Sequence, residues 1–168
     1  LEDQQALWQA LERGDIDTLG TDHCSFDFHG VKELGKDDFS KIPNGLPGVE
    51  HRPVLLYTAG VAAGRITTYQ LMKLLSEQPA RLFGMYPAKG ALSVGSDADV
   101  VIYDPNSTDR ITSAGQHQNV DYTPYEGMET AGRIHMVLLS GEVAVDCGSV
   151  VLPNRGRFVR RGPSGFWR

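Results

Sequence analysis

Residues 16–25 read Ile-Asp-Thr-Leu-Gly-Thr-Asp-His-Cys-Ser, a short strand-like run followed at once by a cluster of polar side chains. The run over residues 16–20 predicts a strand, so the cluster over residues 21–25 would lie just past its carboxyl end. Leu1 to Leu11, with apolar residues at helical spacing and Gly14 as a C-cap, predicts a helix before the strand. Helix, strand and polar loop in this order predict an α/β fold with ligand-binding groups at the ends of parallel strands.

The segment from Phe26 to Arg52 is rich in Gly, Pro, Asp and Lys, and residues 42–48 contain the turn sequences Ile-Pro-Asn-Gly and Leu-Pro-Gly. These features predict a long loop. Loops of this length are uncommon inside compact domains, and they often form lids or line substrate pockets. The composition therefore favours a functional role for this loop.

Two further helices are predicted after the loop, over Val49 to Gly64 and over Thr67 to Phe83, because their apolar residues recur at helical spacing. Thr67 is the expected N-cap of the second helix. Pro79 lies within that helix and predicts a break or kink near Gln78, followed by a separate short turn through Leu82.

Short β-prone runs divided by glycine turns follow Gly84, and they predict a small β domain. The runs occupy residues 90–95, 98–103, 133–139 and 142–145. The last two runs flank Ser140-Gly141, which is a hairpin signal. Residues 104–132 are mostly polar and are expected to form a loop with at most one irregular strand.

Composition limits the possible partners of this 168-residue chain. Its formal net charge of −5 gives no general attraction to nucleic acid or to anionic lipid. No run reaches the roughly 20 consecutive apolar residues of a membrane span. Two cysteines, Cys24 and Cys147, are too few for a disulfide framework and lack the paired spacing of structural zinc. We therefore expect a small-molecule partner, no nucleic acid, no membrane, and a reducing cytoplasm.

Asp22 is the main candidate for chemistry, because a carboxylate just past a strand end can ligate a metal ion and move a proton. His23 beside it is a second candidate. An aspartate after a strand is about as often only a cap of a turn or helix, so position alone leaves both interpretations open.

The remaining titratable residues give no complete metal site. The five histidines include neither a His-x-His pair nor a His-Glu-x-x-His helix face. His29, His51 and His117 are expected in loops or on the surface, and His135 half-buried or exposed in a β run. Cys24 has no evident base placed to activate it, so a packed thiol is favoured over a nucleophile.

Ordered segments along almost the whole chain resemble the dihydropyrimidinase and D-hydantoinase family. They are Thr-Asp-His-Cys at 21–24, Leu-Gly-Lys-Asp-Asp-Phe-Ser-Lys-Ile-Pro-Asn-Gly at 34–45, Gly-Ser-Asp-Ala-Asp-Val-Val-Ile-Tyr-Asp-Pro at 95–105, Tyr-Glu-Gly-Met at 125–128 and Gly-Arg-Phe-Val at 156–159. Several segments in the family's order are far more specific than one short motif. The resemblance therefore favours the metal-ligand interpretation of Asp22.

The resemblance implies the C-terminal portion of a metal-dependent-hydrolase (β/α)8 barrel followed by strands of a small β-sandwich. Residues 1–86 would form the last strand, the active-site loop and outer helices of the barrel. Residues 87–152 would form sandwich strands with an irregular insertion, and residues 153–168 a basic C-terminal tail that is either solvated or docked on a neighbouring subunit. The resemblance also implies a homotetramer in the full-length form.

In the resemblance, Asp22 matches the aspartate that ligates one of two divalent metal ions, zinc by expectation, and shuttles a proton for the attacking hydroxide. Asn44 matches the loop asparagine whose backbone contacts the cyclic imide. The implied reaction opens the C–N bond of dihydropyrimidines or 5-substituted hydantoins to N-carbamoyl amino acids. The family's other metal ligands, a His-x-His pair, a carboxylated lysine and two histidines, would lie upstream, so this segment alone is expected to be inactive.

Three alternatives stay open at this stage. A non-catalytic scaffold homologue would keep the fold without the metal site, although such relatives depart from the family at Asp22 and Asn44. Allantoinase or dihydroorotase would differ in the loop over residues 42–45. A stand-alone β-rich binding module would have no catalysis at all.

Overall fold

A computed structural model describes residues 2–153 and 155–165, in which a helical half precedes a β half along the chain. The helices and strands are α1 (Glu2–Arg13), α2 (Arg52–Leu56), α3 (Thr68–Met72), α4 (Gln78–Leu82), β1 (Val100–Arg110), β2 (Glu129–Leu139), β3 (Glu142–Asp146) and β4 (Ser149–Val150). Shorter 3-10 turns cover Lys32–Gly35 and Phe39–Lys41, and π-helical turns cover Tyr57–Ala62 and Lys73–Glu77. Over these ranges, every helix is too short or too polar to cross a bilayer.

The predicted first helix is confirmed as α1, although Leu1 lies outside the described residues. Gly14 ends it with a φ of +79°, a conformation that glycine adopts without steric cost. The Gly14 amide donates to the Leu11 carbonyl at 3.1 Å. The C-cap predicted from the sequence therefore has its structural reason in this turn.

The strand predicted over residues 16–20 was wrong, since these residues are extended but belong to no hydrogen-bonded sheet. A strand is defined by a neighbour that accepts and donates its backbone hydrogen bonds. Among the residues described, the only pairing near this segment is an isolated parallel bridge between His23 and Leu46. Ile16 and Leu19 instead pack their side chains against the helical core.

The two helices predicted after the loop are confirmed, with helical structure over Arg52–Ala62 and Thr68–Leu82. Thr67 is the N-cap of α3, as predicted, and forms a reciprocal capping box with Gln70. Near Gln78, where a break or kink was predicted, the helix changes type, from the π-helical turn over Lys73–Glu77 to a separate short helix, α4. The chain stays helical because the wider π-helical turn precedes α4 and Pro79 occupies its first turn, where a missing N–H costs little.

The core of the helical half lies between α1 and the later helices. Leu11, Ile66 and Leu74 are buried at its centre. Partly buried apolar residues surround them: Trp8, Ile16, Leu19, Val61 and Leu71. This core fixes α1 and the start of the polar loop against the helices that follow it.

The β half is a four-stranded antiparallel meander in the order β1-β2-β3-β4. The predicted hairpin at Ser140-Gly141 is confirmed, with Leu139 paired to Glu142 and φ values of +52° and +83° at the two turn residues. Positive φ at both positions matches the twist that two-residue hairpins need.

Two boundaries in the β half were wrong. Residues 90–95 form no strand; Ser96 bonds back to Ser93 and Pro87, and Val94 is fully exposed with nothing to pack against. Strands β1 and β2 also extend into the stretch predicted as loop, which leaves residues 111–128 between them. Polar residues are tolerated there because this end of β1 is mostly exposed.

The helical and β halves are joined by specific contacts. The rings of Tyr57 and Tyr103 lie 4.3 Å apart, and the Ala131 amide donates to the Thr58 hydroxyl at 3.0 Å. Burial, with a further effect of Tyr57, raises the pKa of Tyr103 to about 12. The α/β class is thus confirmed in its coarse form, as helices followed by a small antiparallel sheet.

The described part of the C-terminal tail folds back on its own chain. The Gly162 amide donates to the Gly84 carbonyl at 2.8 Å, and the Gly165 amide donates to the Arg81 carbonyl at 2.9 Å. Asn154 and the aromatic end of the predicted tail, residues 166–168, lie outside the described residues.

Candidate active-site loops

Two loop segments that are more than twenty residues apart in the sequence lie side by side. His23 and Leu46 pair as a parallel bridge, and the Cys24 amide donates to the Leu46 carbonyl at 3.3 Å. Each predicted site residue sits next to this bridge, Asp22 just before His23 and Asn44 two residues before Leu46. The bridge therefore brings together the two segments that contain the residues predicted from the sequence.

Asp22 is exposed and has a φ of 49°, a left-handed conformation that is uncommon for a residue other than glycine. Its carboxylate forms no hydrogen bond and no ion pair with the described residues, so among them it caps neither a turn nor a helix. A carboxylate with its lone pairs open is free to bind a cation or to accept a proton.

His23 was considered from the sequence as a second candidate for chemistry, but in the structure it anchors a turn. Its Nδ1 accepts hydrogen bonds from the amides of Gly48, at 3.1 Å, and Val49, at 3.3 Å. The neutral ring then carries its proton on Nε2. His23 anchors the turn at residues 46–49, a role that sequence reasoning missed because the partners lie 25 residues away.

Asn44 is exposed in the middle of a backbone run whose other carbonyls are occupied. The Lys32 ammonium donates to the carbonyls of Pro43, at 2.7 Å, and Gly45, at 2.5 Å, while the Leu46 carbonyl accepts from Cys24. Within the described ranges, the amide and carbonyl of Asn44 itself have no hydrogen-bond partner. The loop thus presents one residue's backbone groups to solvent.

Gly45 allows the two segments to approach closely. Its φ is +126°, and a Cβ built on it would lie 2.3 Å from the Cys24 carbonyl oxygen. Only glycine fits this backbone contact. The sequence predicted a turn here, but not the carbonyl against which the turn packs.

The loop between β1 and β2 holds the site loops through two carboxylates. Asp121 accepts hydrogen bonds from the amides of Phe28, at 2.6 Å, and His29, at 3.0 Å, and these bonds lower its pKa. Glu50 accepts from the amides of His117, at 2.8 Å, and Gln118, at 3.0 Å. Asp121 of the β1–β2 loop therefore binds amides of the site loop. Glu50, at the end of the site loop, binds amides of the β1–β2 loop.

A histidine reinforces the second of these contacts. The His117 Nδ1 lies 2.9 Å from a Glu50 carboxylate oxygen. Burial alone would raise the pKa of Glu50, but the hydrogen bonds from His117 and Gln118 outweigh it and lower the pKa. The hydrogen bond to Glu50 and its negative charge raise the pKa of His117.

The other candidate side chains do not join Asp22. His29 is exposed beside Glu33, and His135, half-buried as predicted, lies 3.5 Å from the Cys147 sulfur. His51 lies in the turn before α2, which agrees with the predicted loop or surface position, although it is buried there near Gln116. The packed thiol predicted for Cys24 was also wrong, because its side chain lies on the exposed side of the bridge.

The described residues do not form a complete metal site by themselves. In residues 2–153 and 155–165, no group of three or more His, Cys, Asp or Glu side chains could hold an ion. The open carboxylate of Asp22 is an oxygen donor of the kind that divalent cations bind. Its chemistry fits one position of a larger ligand set.

Comparisons with known proteins agree on one family. The model of the amidohydrolase family matches residues 2–144. A D-hydantoinase from Geobacillus stearothermophilus is 47% identical over 96% of this chain and 35% of its own length. A D-phenylhydantoinase from Escherichia coli strain SE11 is 45% identical over 97% of this chain and 36% of its own length.

A solved structure agrees with these relatives. The D-hydantoinase (dihydropyrimidinase) from Thermus sp. superimposes with a TM-score of 0.91 at 47% identity, over 97% of this chain and 36% of that one. The chain thus spans about a third of the length of the proteins that it matches. The predicted resemblance to dihydropyrimidinases and D-hydantoinases is confirmed, and the chain belongs to the amidohydrolase family.

Proposed function

We propose that the chain is part of a metal-dependent hydrolase that opens the cyclic amide bond of dihydropyrimidines or 5-substituted hydantoins to N-carbamoyl amino acids. The observation that carries the proposal is the His23–Leu46 bridge, which lies next to Asp22 in one segment and Asn44 in the other. In a chain 47% identical to a D-hydantoinase, the His23–Leu46 bridge holds these two residues in adjacent loops with their polar groups open.

Asp22 would act as the proton carrier of the reaction. Its open carboxylate takes a proton from the attacking water as the oxygen bonds to the ring carbonyl carbon. It then returns the proton to the ring nitrogen as the C–N bond breaks. The products carry all atoms of the ring and one water, so no other reactant is needed.

Asn44 would bind the ring through its backbone. A cyclic imide offers carbonyl oxygens and an N–H, which match the free amide and carbonyl of one residue. The occupied carbonyls on both sides of Asn44 keep the loop from competing for these groups. Substrate binding would therefore depend on loop geometry more than on the Asn44 side chain.

Two divalent metal ions, which we propose to be zinc, would lower the pKa of water and polarise the carbonyl when bound. Asp22 is the residue of this chain that would ligate one of them. The rest of the ligand set would come from the part of the relatives' length that this chain does not span.

The finer architecture is part of the proposal. Residues 1–86 would complete a TIM-like barrel, residues 87–152 would contribute to a β-sandwich, and residues 153–168 would form the basic tail. We further propose a cytoplasmic homotetramer as the full-length form. Two exposed free cysteines agree with a reducing compartment.

The test is hydrolysis by the full-length protein. We expect it to open dihydrouracil or a 5-substituted hydantoin, and to lose that activity when a chelator removes its metal. Allantoin and dihydroorotate, assayed in parallel, separate the related hydrolases from this proposal. Absence of hydrolysis by metal-loaded protein would favour a scaffold homologue, and full activity after complete metal removal would refute the mechanism.

A further inference from the structure

The geometry points to Lys32 as a positioning residue for the substrate-binding loop: we propose that its ammonium fixes the peptide groups on both sides of Asn44 and so aims the Asn44 backbone at the substrate. The inference rests on the proposed function for the identity of the substrate. Its structural part rests on the contacts of the described residues.

The first observation is that one ammonium group bridges two carbonyls. Lys32 Nζ lies 2.7 Å from the Pro43 oxygen and 2.5 Å from the Gly45 oxygen, and these residues flank Asn44. Hydrogen bonds from a charged donor are shorter and stronger than neutral ones. The side chain thus spans 11 and 13 residues of sequence to hold one short segment.

The contact with Lys32 also sets the direction of the Asn44 amide. The peptide bond between Pro43 and Asn44 is trans, so its C=O and N–H point in opposite directions. Because the Pro43 oxygen faces Lys32, the Asn44 N–H faces away from it. Fixing this peptide plane therefore fixes the direction in which Asn44 can donate a hydrogen bond.

Lys32 is itself held in place by its neighbours, and its ammonium has no competing ion pair among the described residues. It is half-buried, its amide donates to the Asp27 carbonyl at 3.1 Å, and its ammonium lies 5.7 Å from the centre of the Phe26 ring. Among the described residues, no carboxylate lies within 4.0 Å of the ammonium. Its hydrogen bonds are thus used on the backbone of the loop.

Lys36 provides a matched control in the same loop. It is a lysine four residues further along, and its exposed side chain forms no hydrogen bond or ion pair with the part of the chain that is described. Lys32→Met and Lys36→Met remove the same charge. Only the first removes the two bonds to the loop.

The experiment uses the metal-loaded, full-length protein with dihydrouracil as substrate, and compares Lys32→Met, Lys32→Arg and Lys36→Met with the wild type. We expect Lys32→Met to raise KM about tenfold and to change kcat less than about threefold, because ground-state binding is lost. Lys32→Arg should restore KM, since its guanidinium can donate to two acceptors. Lys36→Met should match the wild type.

Exchange of the two hydrogen-bonded amides that border this segment, Ile42 bonded to the Phe39 carbonyl and Cys24 bonded to the Leu46 carbonyl, gives a readout that does not depend on activity. Lys32→Met should speed exchange there about tenfold while Lys36→Met does not. Unchanged exchange and KM in Lys32→Met, or equal changes in Lys36→Met, would overturn the proposal. If Lys32→Met does not fold, Lys32→Gln, which keeps one donor group, replaces it with the same expected direction.

The two proposals fail in different ways. A full-length protein that hydrolyses none of the offered rings removes the proposed function, and the exchange data then decide the positioning role alone. Faster exchange only in Lys32→Met supports that role, and unchanged exchange rejects it. If Lys32→Met is active with an unaltered KM and unaltered exchange, the proposed function stands and the positioning role of Lys32 is rejected.

Discussion

His23 and Leu46 form a single parallel bridge that joins the end of the first extended segment to the following loop. The two amides bonded to His23 Nδ1 add a side-chain anchor to this backbone pairing. This junction places the segment that contains Asp22 beside the segment that contains Asn44. Residues that hold the junction should therefore affect substrate binding without touching the substrate.

Gly45→Ala tests the close contact of the two segments. An added Cβ would lie 2.3 Å from the Cys24 carbonyl oxygen, and a backbone atom cannot move aside as a flexible side chain could. We expect KM for dihydrouracil to rise about tenfold or more as the loop shifts. Gly127→Ala is the control, because its φ is also positive, +79°, but nothing lies within 4 Å of its added Cβ. An unchanged KM in Gly45→Ala would mean that the contact does not shape the site.

Asn44→Ala separates the backbone of this residue from its side chain. The substitution keeps both free backbone groups, so KM and kcat should stay within about threefold of the wild type. Steady-state kinetics with dihydrouracil check this expectation. A loss of a hundredfold would instead assign the contact to the side-chain amide.

The ion pair between Glu50 and His117 should give the loop contact a pH dependence. The pKa of His117 is raised above its ordinary 6.5, so its contribution is full below pH 6.5 and is lost as pH rises through the raised pKa. The pKa of Glu50 is lowered below its ordinary 4.5, so its contribution is full above pH 4.5 and is lost as pH falls through the lowered pKa. The pair therefore stabilises the fold most between pH 4.5 and pH 6.5.

We therefore expect His117→Gln to lower the Tm of the full-length protein more at pH 6 than at pH 8. Because the His117 side chain is 58% exposed, solvent screening keeps its contribution below about 1 kcal/mol. In a Glu50→Gln background the effect of His117→Gln should no longer differ between the two pH values. An equal Tm change at both pH values in the wild-type background would contradict the ion-pair account.

Thr67→Ala tests the helix start that the sequence predicted. The Thr67 hydroxyl accepts from the Gln70 amide at 3.2 Å, and the Gln70 side chain accepts from the Thr67 amide at 2.8 Å. Losing the cap should cost about 1 kcal/mol and lower the Tm, while Thr67→Ser keeps the hydroxyl and the stability. Hydrolytic activity at 25 °C should be unchanged in both variants, since the cap lies away from the site loops.

Features that depend only on neighbouring residues in the sequence were predicted correctly. The Thr67 cap, the Gly14 helix end and the Ser140-Gly141 hairpin all follow from residue types within a few positions of each other. The strand at residues 16–20 failed, because strand formation depends on a partner and not on the run itself. The irregularity predicted near Gln78 is a π-helical turn followed by a separate short helix, because Pro79 lies in the first turn of that helix, where its missing N–H costs little.

The candidate site was predictable only in part, for the same reason. Asp22 and Asn44 could be proposed from their place in ordered segments of the chain. The carbonyl clamp by Lys32 and the anchor at His23 could not, because each joins residues 11 to 26 positions apart. Lysine and histidine in a polar loop carry no signal that separates such contacts from simple exposure to solvent.

The most direct test of the account is the kcat of Asp22→Asn in the full-length protein, measured with dihydrouracil alongside its metal content. The amide cannot accept the proton, so kcat should fall about 10²- to 10⁴-fold while the protein stays folded. Asp37→Asn, an exposed aspartate in the same loop region, should keep wild-type kcat. A metal-loaded Asp22→Asn enzyme with wild-type kcat would contradict the central role given to this carboxylate.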